Sequence, residues 1–293
     1  MRIADRWKYY FTLSGILLTI GIISLAKNGL RLGIDFTGGS IFEYTISDSK
    51  LLSTESVQNV FSQNGINVYT IDFRGTTLQV RTNDTYTDKS LEIIEDLQNI
   101  DPNVRQVNFE TIGPSVSSEI TRNGIKALFV AILAVILYIA YAFRNVPKKY
   151  SSYKFGVAAI IALLHDALFV LGVFSILGFY YGVEVNALFI TAMLTVIGFS
   201  VHDTIVVFDR IRENLKKHSK DAFIEIANIS LLETLNRSLS TSFTAIVMLT
   251  ALVLLGGESI RYFVLAILVG LISGAYSSIF IATPVLVLWS RGK

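Results

Sequence analysis

Six apolar stretches, each long enough to cross a lipid bilayer, limit what this chain of 293 residues can fold into. About 20 helical residues span ~30 Å of hydrocarbon, where only helices or closed barrels satisfy their backbone hydrogen bonds. Because 52% of the residues are hydrophobic and only 16% are charged, most of the chain cannot form the surface of a water-soluble domain. The sequence therefore predicts an α-helical polytopic membrane protein with six transmembrane helices near 10–27, 124–143, 155–178, 185–208, 238–256 and 261–289.

The distribution of Lys and Arg predicts the orientation of these helices. Arg2, Arg6 and Lys8 precede the first span, and basic residues crowd the connections at 144–154 and 209–220, whereas the connections "YYGVE" and "GGES" contain none. Lys and Arg are enriched on the cytoplasmic side of membrane proteins. We therefore expect both termini inside, with a cytoplasmic N-terminus and the first helix in residues 1–29.

A polar segment at 30–121 separates the first two spans. The stretches "GGSIFEYTI", "INVYTIDF", "TTLQVRT" and "NVRQVNFETI" are typical of strands, and "TESVQNVFSQNG" and "TDKSLEIIEDLQNI" are typical of amphipathic helices. The resulting order, β-α-β-β-α-β, predicts a ferredoxin-like α+β domain on the extracytoplasmic side. Pro114 is expected to end the last strand and begin the return to the membrane.

Residues 122–293 are predicted to hold the second to sixth spans, with an amphipathic cytoplasmic loop at 209–236. Within this loop, apolar residues from Phe223 to Leu232 recur at helical spacing. They predict a short helix lying at the inner membrane interface. A surface helix packed on neighbouring cytoplasmic loops explains the same spacing equally well.

Five ionisable residues fall within or next to the apolar spans: His165, Asp166, His202, Asp203 and Arg237. A carboxylate in hydrocarbon costs several kcal/mol unless it is paired, hydrated or protonated, so it often marks an ion path. Asp203 is the strongest candidate for proton coupling, against the alternative that it lies close enough to the inner helix end to reach water. Asp166 is deeper in its span but has no clear partner in the sequence.

Arg237 and the two histidines also have ordinary explanations. An Arg at an inner helix end usually extends to the interface and fixes topology, although it can also pair with Asp203. The adjacent His-Asp pairs do not favour a metal site, because neighbouring helical residues point about 100° apart, whereas metal-binding pairs share one helix face. His165 and His202 are then expected to hydrogen-bond within the bundle.

The last span carries a pattern of small residues. Gly270 and Gly274 form a G-x-x-x-G spacing, which lets one helix approach another backbone closely. We therefore expect this helix to pack in the interior of a bundle.

Several classes of function are excluded or disfavoured. No G-x-x-x-x-G-K-[ST] motif occurs, so the chain does not bind ATP through a P-loop. A net charge of +2 gives no reason to expect a nucleic-acid partner, and the absence of Cys removes disulfides and thiol nucleophiles. We expect no enzymatic activity and no metal.

Four stretches together resemble the SecF family of bacterial protein-export membrane proteins. They are the His-Asp pair of the third span, "IGPSVSSEITRNG", "VIGFSVHDTIVVFDRIRENL" and "LGIDFTGG", and the last contains Gly33, Asp35, Phe36, Gly38 and Gly39. The resemblance covers essentially the whole chain. It implies membership of the resistance-nodulation-division superfamily, whose transporters have two six-helix halves, and this chain supplies one half.

The resemblance further implies a role late in Sec-dependent export across the bacterial cytoplasmic membrane. Such proteins work with SecD, associate with the SecYEG channel and YajC, and engage the translocating unfolded polypeptide, with protons as coupling ion and no cofactor. Asp203 would be the protonation site and Arg237 its switchable partner. His202 departs from the family pattern, which often has Asn at this position.

Two other functions are weighed against this motor role. In the first, which the residues leave open, the chain is a passive subunit that stabilises the SecD complex without a proton pathway of its own. A superfamily transporter of lipids or small molecules is disfavoured, because the single outer domain of about 90 residues is modest for enclosing a substrate.

Overall fold

The computed structural model describes residues 3–46, 52–85, 89–144, 146, 151–218 and 220–290. Of the basic residues used to predict orientation, Arg2, Lys148 and Lys149 lie outside these ranges. The chain forms two compact units, one made of Met1–Arg31 with Lys126–Lys293 and the other of Leu32–Ile125. Within the described ranges the elements are, in chain order, α1 Trp7–Asn28, α2 Ile34–Thr37, β1 Gly39–Thr45, α3 Thr54–Gln63, β2 Val68–Arg74, β3 Thr77–Thr82, α4 Ser90–Gln98, β4 Arg105–Ile112, α5 Pro114–Ala142, α6 Ser152–Tyr181, α7 Ala187–Lys217, α8 Phe223–Leu255, α9 Glu258–Ser277, a π-helical turn Ser278–Ala282 and α10 Thr283–Ser290.

In the part of the chain that the structure describes, six helices are long and apolar enough to cross a membrane, as the hydropathy pattern predicts: α1, α5, α6, α7, α8, and α9 continued through the π-helical turn into α10. In α6, α7 and the last of these spans, 50–61% of the most apolar stretch is buried within the protein, against 6–17% in the other three. These three spans, α6, α7 and α9 with α10, therefore form the interior of the bundle. One end of this interior is filled by the packed rings of Phe143, Phe155 and Phe208.

The segment 209–236 differs from the sequence prediction. It is not a loop with a separate short helix, because α7 runs on to Lys217 and α8 begins at Phe223. The stretch that joins the predicted short helix to the fifth span, "TLNRSLSTSF", holds no Gly or Pro, so its polar residues leave the helical hydrogen bonds unbroken. The apolar face of this first part of α8 packs into the bundle core rather than lying free at an interface.

The unit Leu32–Ile125 contains a small antiparallel sheet with strand order β2-β3-β1-β4. The elements follow the predicted order β-α-β-β-α-β, with the four-residue helix α2 added before β1. Alternation along β1 and β3 turns Phe42, Tyr44, Leu78 and Val80 into the core, where they meet the apolar faces of α3 and α4. The N-terminus of α3 is fixed by a capping box between Ser53 and Ser56.

Two glycines make the start of this unit possible. Gly38 ends α2 with a φ of 72°, and Gly39 begins β1 with a φ of 108°. A Cβ at Gly39 would overlap the carbonyl oxygen of Thr82 on β3. Both positions therefore need glycine: Gly38 for its backbone conformation, and Gly39 for its conformation and for the close approach of β3.

Candidate functional site

Asp203 lies in the interior stretch of α7, a helix whose start is fixed by the side chain of Asn186, which accepts a hydrogen bond from the Phe189 N–H. Its side chain is 11% exposed. Ser242 of α8 donates a hydrogen bond to Oδ2 at 3.3 Å, and Nδ1 of His202 lies 3.6 Å from Oδ1. The carboxyl group thus has one hydrogen bond that is longer than the usual ~2.5–3.0 Å between hydroxyl and oxygen, and a second contact that is longer still.

Arg237 does not contact Asp203. It lies on α8, five residues before Ser242, and its residue surface is exposed. Among the described residues, its guanidinium makes no hydrogen bond or ion pair; only its backbone carbonyl is engaged, as the acceptor for Thr241. The ion pair weighed from the sequence is absent from this arrangement of the helices.

A cavity of about 390 Å³ adjoins the Asp203 carboxyl group. It continues from Asp203 toward the N-terminal end of α7, where Thr195 lies two helical turns away. His202, with a side chain 65% exposed, forms part of its rim. Its full lining is Thr195, Gly198, Phe199, His202, Asp203, Thr241, Ser242, Ala245 and Leu271.

Asp166 of α6 is the centre of a second polar cluster, and its partners were missed by sequence reasoning. It is fully buried. Its Oδ1 accepts a 2.6 Å hydrogen bond from Ser273, and its Oδ2 accepts 2.6 Å bonds from Ser200 and Ser277. A carboxylate from α6 thus gathers hydroxyls from α7 and α9, and Ser200 lies one helical turn before Asp203. The available signal was the i, i+4 spacing of the two α9 serines in an apolar span.

His165 is buried beside this cluster, as the prediction of a hydrogen-bonded histidine requires. Its Nδ1 lies 3.0 Å from Oδ1 of Asp166, and its ring stacks near that of Tyr276. The Tyr276 hydroxyl donates to the backbone carbonyl of Tyr10 and accepts from Ser14. These bonds connect α1 to α9 beside the polar cluster around Asp166. His202, in contrast, is mostly exposed and belongs to the cavity rim.

Close helix contacts hold the three central spans in register. A Cβ at Gly270 would overlap the side chain of Val196, and one at Gly274 would lie 3.3 Å from the Cα of Ser200. Both glycines of the G-x-x-x-G pattern therefore face α7, on the side where Asp166 meets its serines. A second contact of this kind, between Gly21 of α1 and Gly172 of α6, was not predicted.

The remaining motif residues lie in the unit Leu32–Ile125. Gly33 precedes α2, and Asp35 and Phe36 lie within it. Arg81 donates hydrogen bonds to the Leu32 carbonyl oxygen. Within the described ranges, no three His, Asp or Glu side chains lie close enough together to hold a metal ion.

Comparisons with known proteins identify the family. Residues 92–292 match the family model described as "Protein export membrane protein SecD/SecF, C-terminal", and residues 23–49 match one described as "SecD/SecF GG Motif". The chain belongs to the SecD/SecF family. The resemblance inferred from the four sequence stretches is confirmed, and Gly38 and Gly39 lie within the matched GG motif.

Relatives within the SecD/SecF family match along nearly the whole chain. The protein translocase subunit SecF of Thermobaculum terrenum is 44% identical over 98% of this chain and 93% of its own length. The SecDF subunit of Bacillus subtilis is 36% identical over 96% of this chain, which spans 37% of that longer protein. The crystal structure of Thermus thermophilus SecDF superposes with a TM-score of 0.83 at 30% identity, covering 99% of this chain and 38% of that one. These matches assign the chain a SecF-like accessory role in protein translocation.

Proposed function

We propose that this SecF-like chain uses the proton-motive force, through Asp203, to help complete protein translocation. The observation that carries the proposal is the state of the Asp203 carboxyl group. It is buried in a membrane span, lines a cavity and, among the described residues, receives a single hydrogen bond, from Ser242 at 3.3 Å. A carboxylate so weakly satisfied in hydrocarbon costs several kcal/mol, so its environment must change when it gains or loses a proton.

Arg237 is the proposed partner in this change. An ionised Asp203 beside a guanidinium favours one helix arrangement, and a protonated Asp203 releases the Arg and favours another. Among the described residues the Arg237 guanidinium has no partner, which is what the released arrangement would require. One elementary charge moving through the field is worth ~2.3 kcal/mol per 100 mV, enough to bias such an equilibrium more than tenfold.

Asp166 and His165 are the second candidates for proton coupling. Asp166 accepts three hydroxyl hydrogen bonds, and one of them comes from Ser200, one turn from Asp203. A proton on Asp166 would make one of its oxygens a donor, so a serine that now donates to that oxygen would have to turn its hydroxyl and accept. Such a rearrangement at Oδ2 would reach α7 through Ser200. His202, at the rim of the cavity, is the last of the proposed candidates for proton coupling.

The proposed setting is the bacterial cytoplasmic membrane, with both termini inside and residues 30–121 outside. The alternation along the chain of connections rich in Lys and Arg with connections that contain neither supports this orientation. We propose a ferredoxin-like fold for the outer domain, supported by its element order and its strand order β2-β3-β1-β4. This domain would engage the emerging unfolded polypeptide.

The proposed partners are SecD, the SecYEG channel, YajC and the surrounding lipid. SecD is favoured by the SecDF relatives, in which the matching segment is 37–38% of a longer chain. We propose that this chain forms one half of a resistance-nodulation-division bundle and that SecD supplies the other. The proposed role needs protons but no enzyme chemistry and no cofactor.

Asp203→Asn tests the proposal. Asn keeps the size of the side chain and most of its hydrogen bonding, but cannot ionise, so packing survives and the switch does not. Translocation into inverted membrane vesicles is measured with and without a protonophore. We expect Asp203→Asn to lose the protonophore-sensitive stimulation and Asp203→Glu to retain part of it. Full stimulation in Asp203→Asn would instead favour the passive subunit.

A further inference from the structure

The buried face of α8 carries a column of hydroxyl groups that leads away from Asp203. Ser242, Ser238, Thr234 and Ser230 follow one another at intervals of four residues, and each is at most 8% exposed. Four residues of α-helix advance about 6 Å, close to the ~5.6 Å spanned by two hydrogen bonds through one water molecule. The rise between successive hydroxyls of the column is therefore close to the span of one bridging water.

Ser238 has hydrogen-bonding capacity that nothing in the described protein uses. It is 6% exposed, and its Oγ is buried without a hydrogen-bond partner. The two hydroxyls below it follow the usual helical habit: Ser230 donates to the Ile226 carbonyl and Thr234 donates to the Ser230 carbonyl. A buried polar atom without a partner is rare in proteins, and a water bound at Ser238 would satisfy it.

The column joins two polar sites. At one end Ser242 donates to Asp203. At the other, Asn214 of α7 donates to both Ser230 and Glu233, and the half-exposed Glu233 is paired with Arg210. On α7, the positions between Asp203 and Asn214 at the same helical spacing are the buried Val207 and Ile211. Their side chains cannot form hydrogen bonds, so a water between the two helices could bond only to the hydroxyls of α8.

The column and the cavity extend from Asp203 in opposite directions. The cavity continues toward the N-terminal end of α7, whereas Asn214 lies three turns beyond Asp203 toward its C-terminal end. A carboxyl group between two routes can take a proton from one and release it to the other.

We propose that the buried hydroxyls of Ser242, Ser238, Thr234 and Ser230, with water bound at Ser238, form the route by which the Asp203 proton reaches the Asn214–Glu233 cluster. The inference rests on the proposed function of Asp203. Asp203 releases its proton to the first oxygen of the route, and each oxygen accepts one proton and passes its own to the next. From Ser230 the proton passes through one further bound water to the half-exposed Glu233 carboxylate, which releases it to the aqueous phase, so only Asp203 changes charge overall. Asn214 donates to both Ser230 and Glu233 and holds them in place without carrying the proton.

Substitutions at Ser238 test the route, with Ser240 on the exposed face of α8 as the matched control. Proton flux is followed with a pH-sensitive dye in inverted vesicles that hold the full chain in its complex. Ser238→Val should reduce the flux by roughly 100-fold, the lower end of what a positioned proton-transfer group contributes, and Ser238→Thr should restore it. Ser240→Val should leave it unchanged.

The outcomes separate the two proposals. If Asp203→Asn abolishes the flux while Ser238→Val matches Ser240→Val, the route is wrong and the role of Asp203 stands. If Asp203→Asn keeps the full flux, the proposed function itself fails.

Single-cysteine accessibility gives a second measurement that does not depend on Ser238→Val folding. The chain has no Cys, so one introduced thiol reports alone. Only a hydrated thiolate reacts with a small water-soluble thiol reagent. Ser238→Cys should react roughly tenfold or more faster than Leu239→Cys, its apolar neighbour on the exposed face. Equal labelling rates at the two positions would overturn the proposal that water is bound along the route.

Discussion

Replacing each buried aspartate by asparagine should separate the carboxyl group that anchors the bundle from the one that switches. Asp166→Asn and Asp203→Asn are the same chemical change on adjacent spans, α6 and α7. Asp166 accepts three hydroxyl hydrogen bonds at 2.6 Å, whereas Asp203 accepts one at 3.3 Å. The two variants should therefore lose very different amounts of stability.

The loss at Asp166 follows from its contacts. Asn has one acceptor oxygen, which can keep the two bonds from Ser200 and Ser277, while its NH₂ group faces Ser273, whose hydroxyl must turn to accept. Three bonds to a carboxylate, each worth about 1.5–3 kcal/mol, become bonds to a neutral amide, each worth about 0.5–1.5 kcal/mol, a loss of about 1 kcal/mol per bond. Asp166→Asn should thus destabilise the chain by about 3 kcal/mol, and Asp203→Asn by less than about 1 kcal/mol.

Thermal unfolding of the purified chain in detergent, at one scan rate, measures this difference. For a chain of this size, 1 kcal/mol corresponds to roughly 2–4 °C in Tm, so Asp166→Asn should unfold about 6–12 °C lower than the wild type. Asp203→Asn should unfold within about 3 °C of it. Equal shifts in the two variants would refute the assignment of Asp166 as the anchor.

Three further predictions concern packing, the small domain and topology. Gly21→Ala should be about 1–3 kcal/mol less stable than Gly15→Ala by thermal unfolding, because a Cβ at Gly21 lies 3.0 Å from the Gly172 Cα while one at Gly15 meets nothing within 4 Å. A fragment spanning 30–121 should be soluble and folded by circular dichroism, and Tyr44→Phe should stabilise it by about 1–2 kcal/mol in urea, because the Tyr44 hydroxyl is buried with no hydrogen-bond partner among the described residues. Burial raises the pKa of Tyr44, so the unfolded state loses this proton first and the wild-type fragment, unlike Tyr44→Phe, should lose stability as pH rises above about 10. For topology, Asp84→Cys should be labelled from the outer face by an impermeant thiol reagent and His218→Cys should not; the reverse pattern would invert the proposed orientation.

The six spans could be predicted because the bilayer leaves the backbone few choices. The connection between α7 and α8 could not, because Ser, Thr, Asn and Arg look alike in a loop and on a helix that faces polar groups. The "NRSLSTS" stretch therefore marked a loop boundary in the sequence and a continuous helix in the structure.

The candidate site was predictable in its ionisable residues and not in their surroundings. Asp203 and Asp166 stand out because carboxylates are rare in apolar spans. Ser200 and Ser238 do not, since a serine's importance depends on which helix face meets which neighbour. Whether Arg237 pairs with Asp203 depends on the arrangement of the helices, which a single sequence does not specify.

The π-helical turn Ser278–Ala282 bears on how the length of this family's last span can vary. A π-helical turn holds one residue more than an α-helical turn, and here the hydroxyl of Thr283 caps the widened backbone by donating to the Ser278 carbonyl five residues earlier. Removing one residue inside this turn would leave a regular α-helix with the same faces on both sides. Removing one elsewhere in α9 would rotate all that follows by about 100° and carry Ser273 or Ser277 away from Asp166. A relative one residue shorter at this turn can therefore keep the whole hydroxyl cluster around Asp166. An alignment that places the gap elsewhere would misassign every residue between that gap and the π-helical turn.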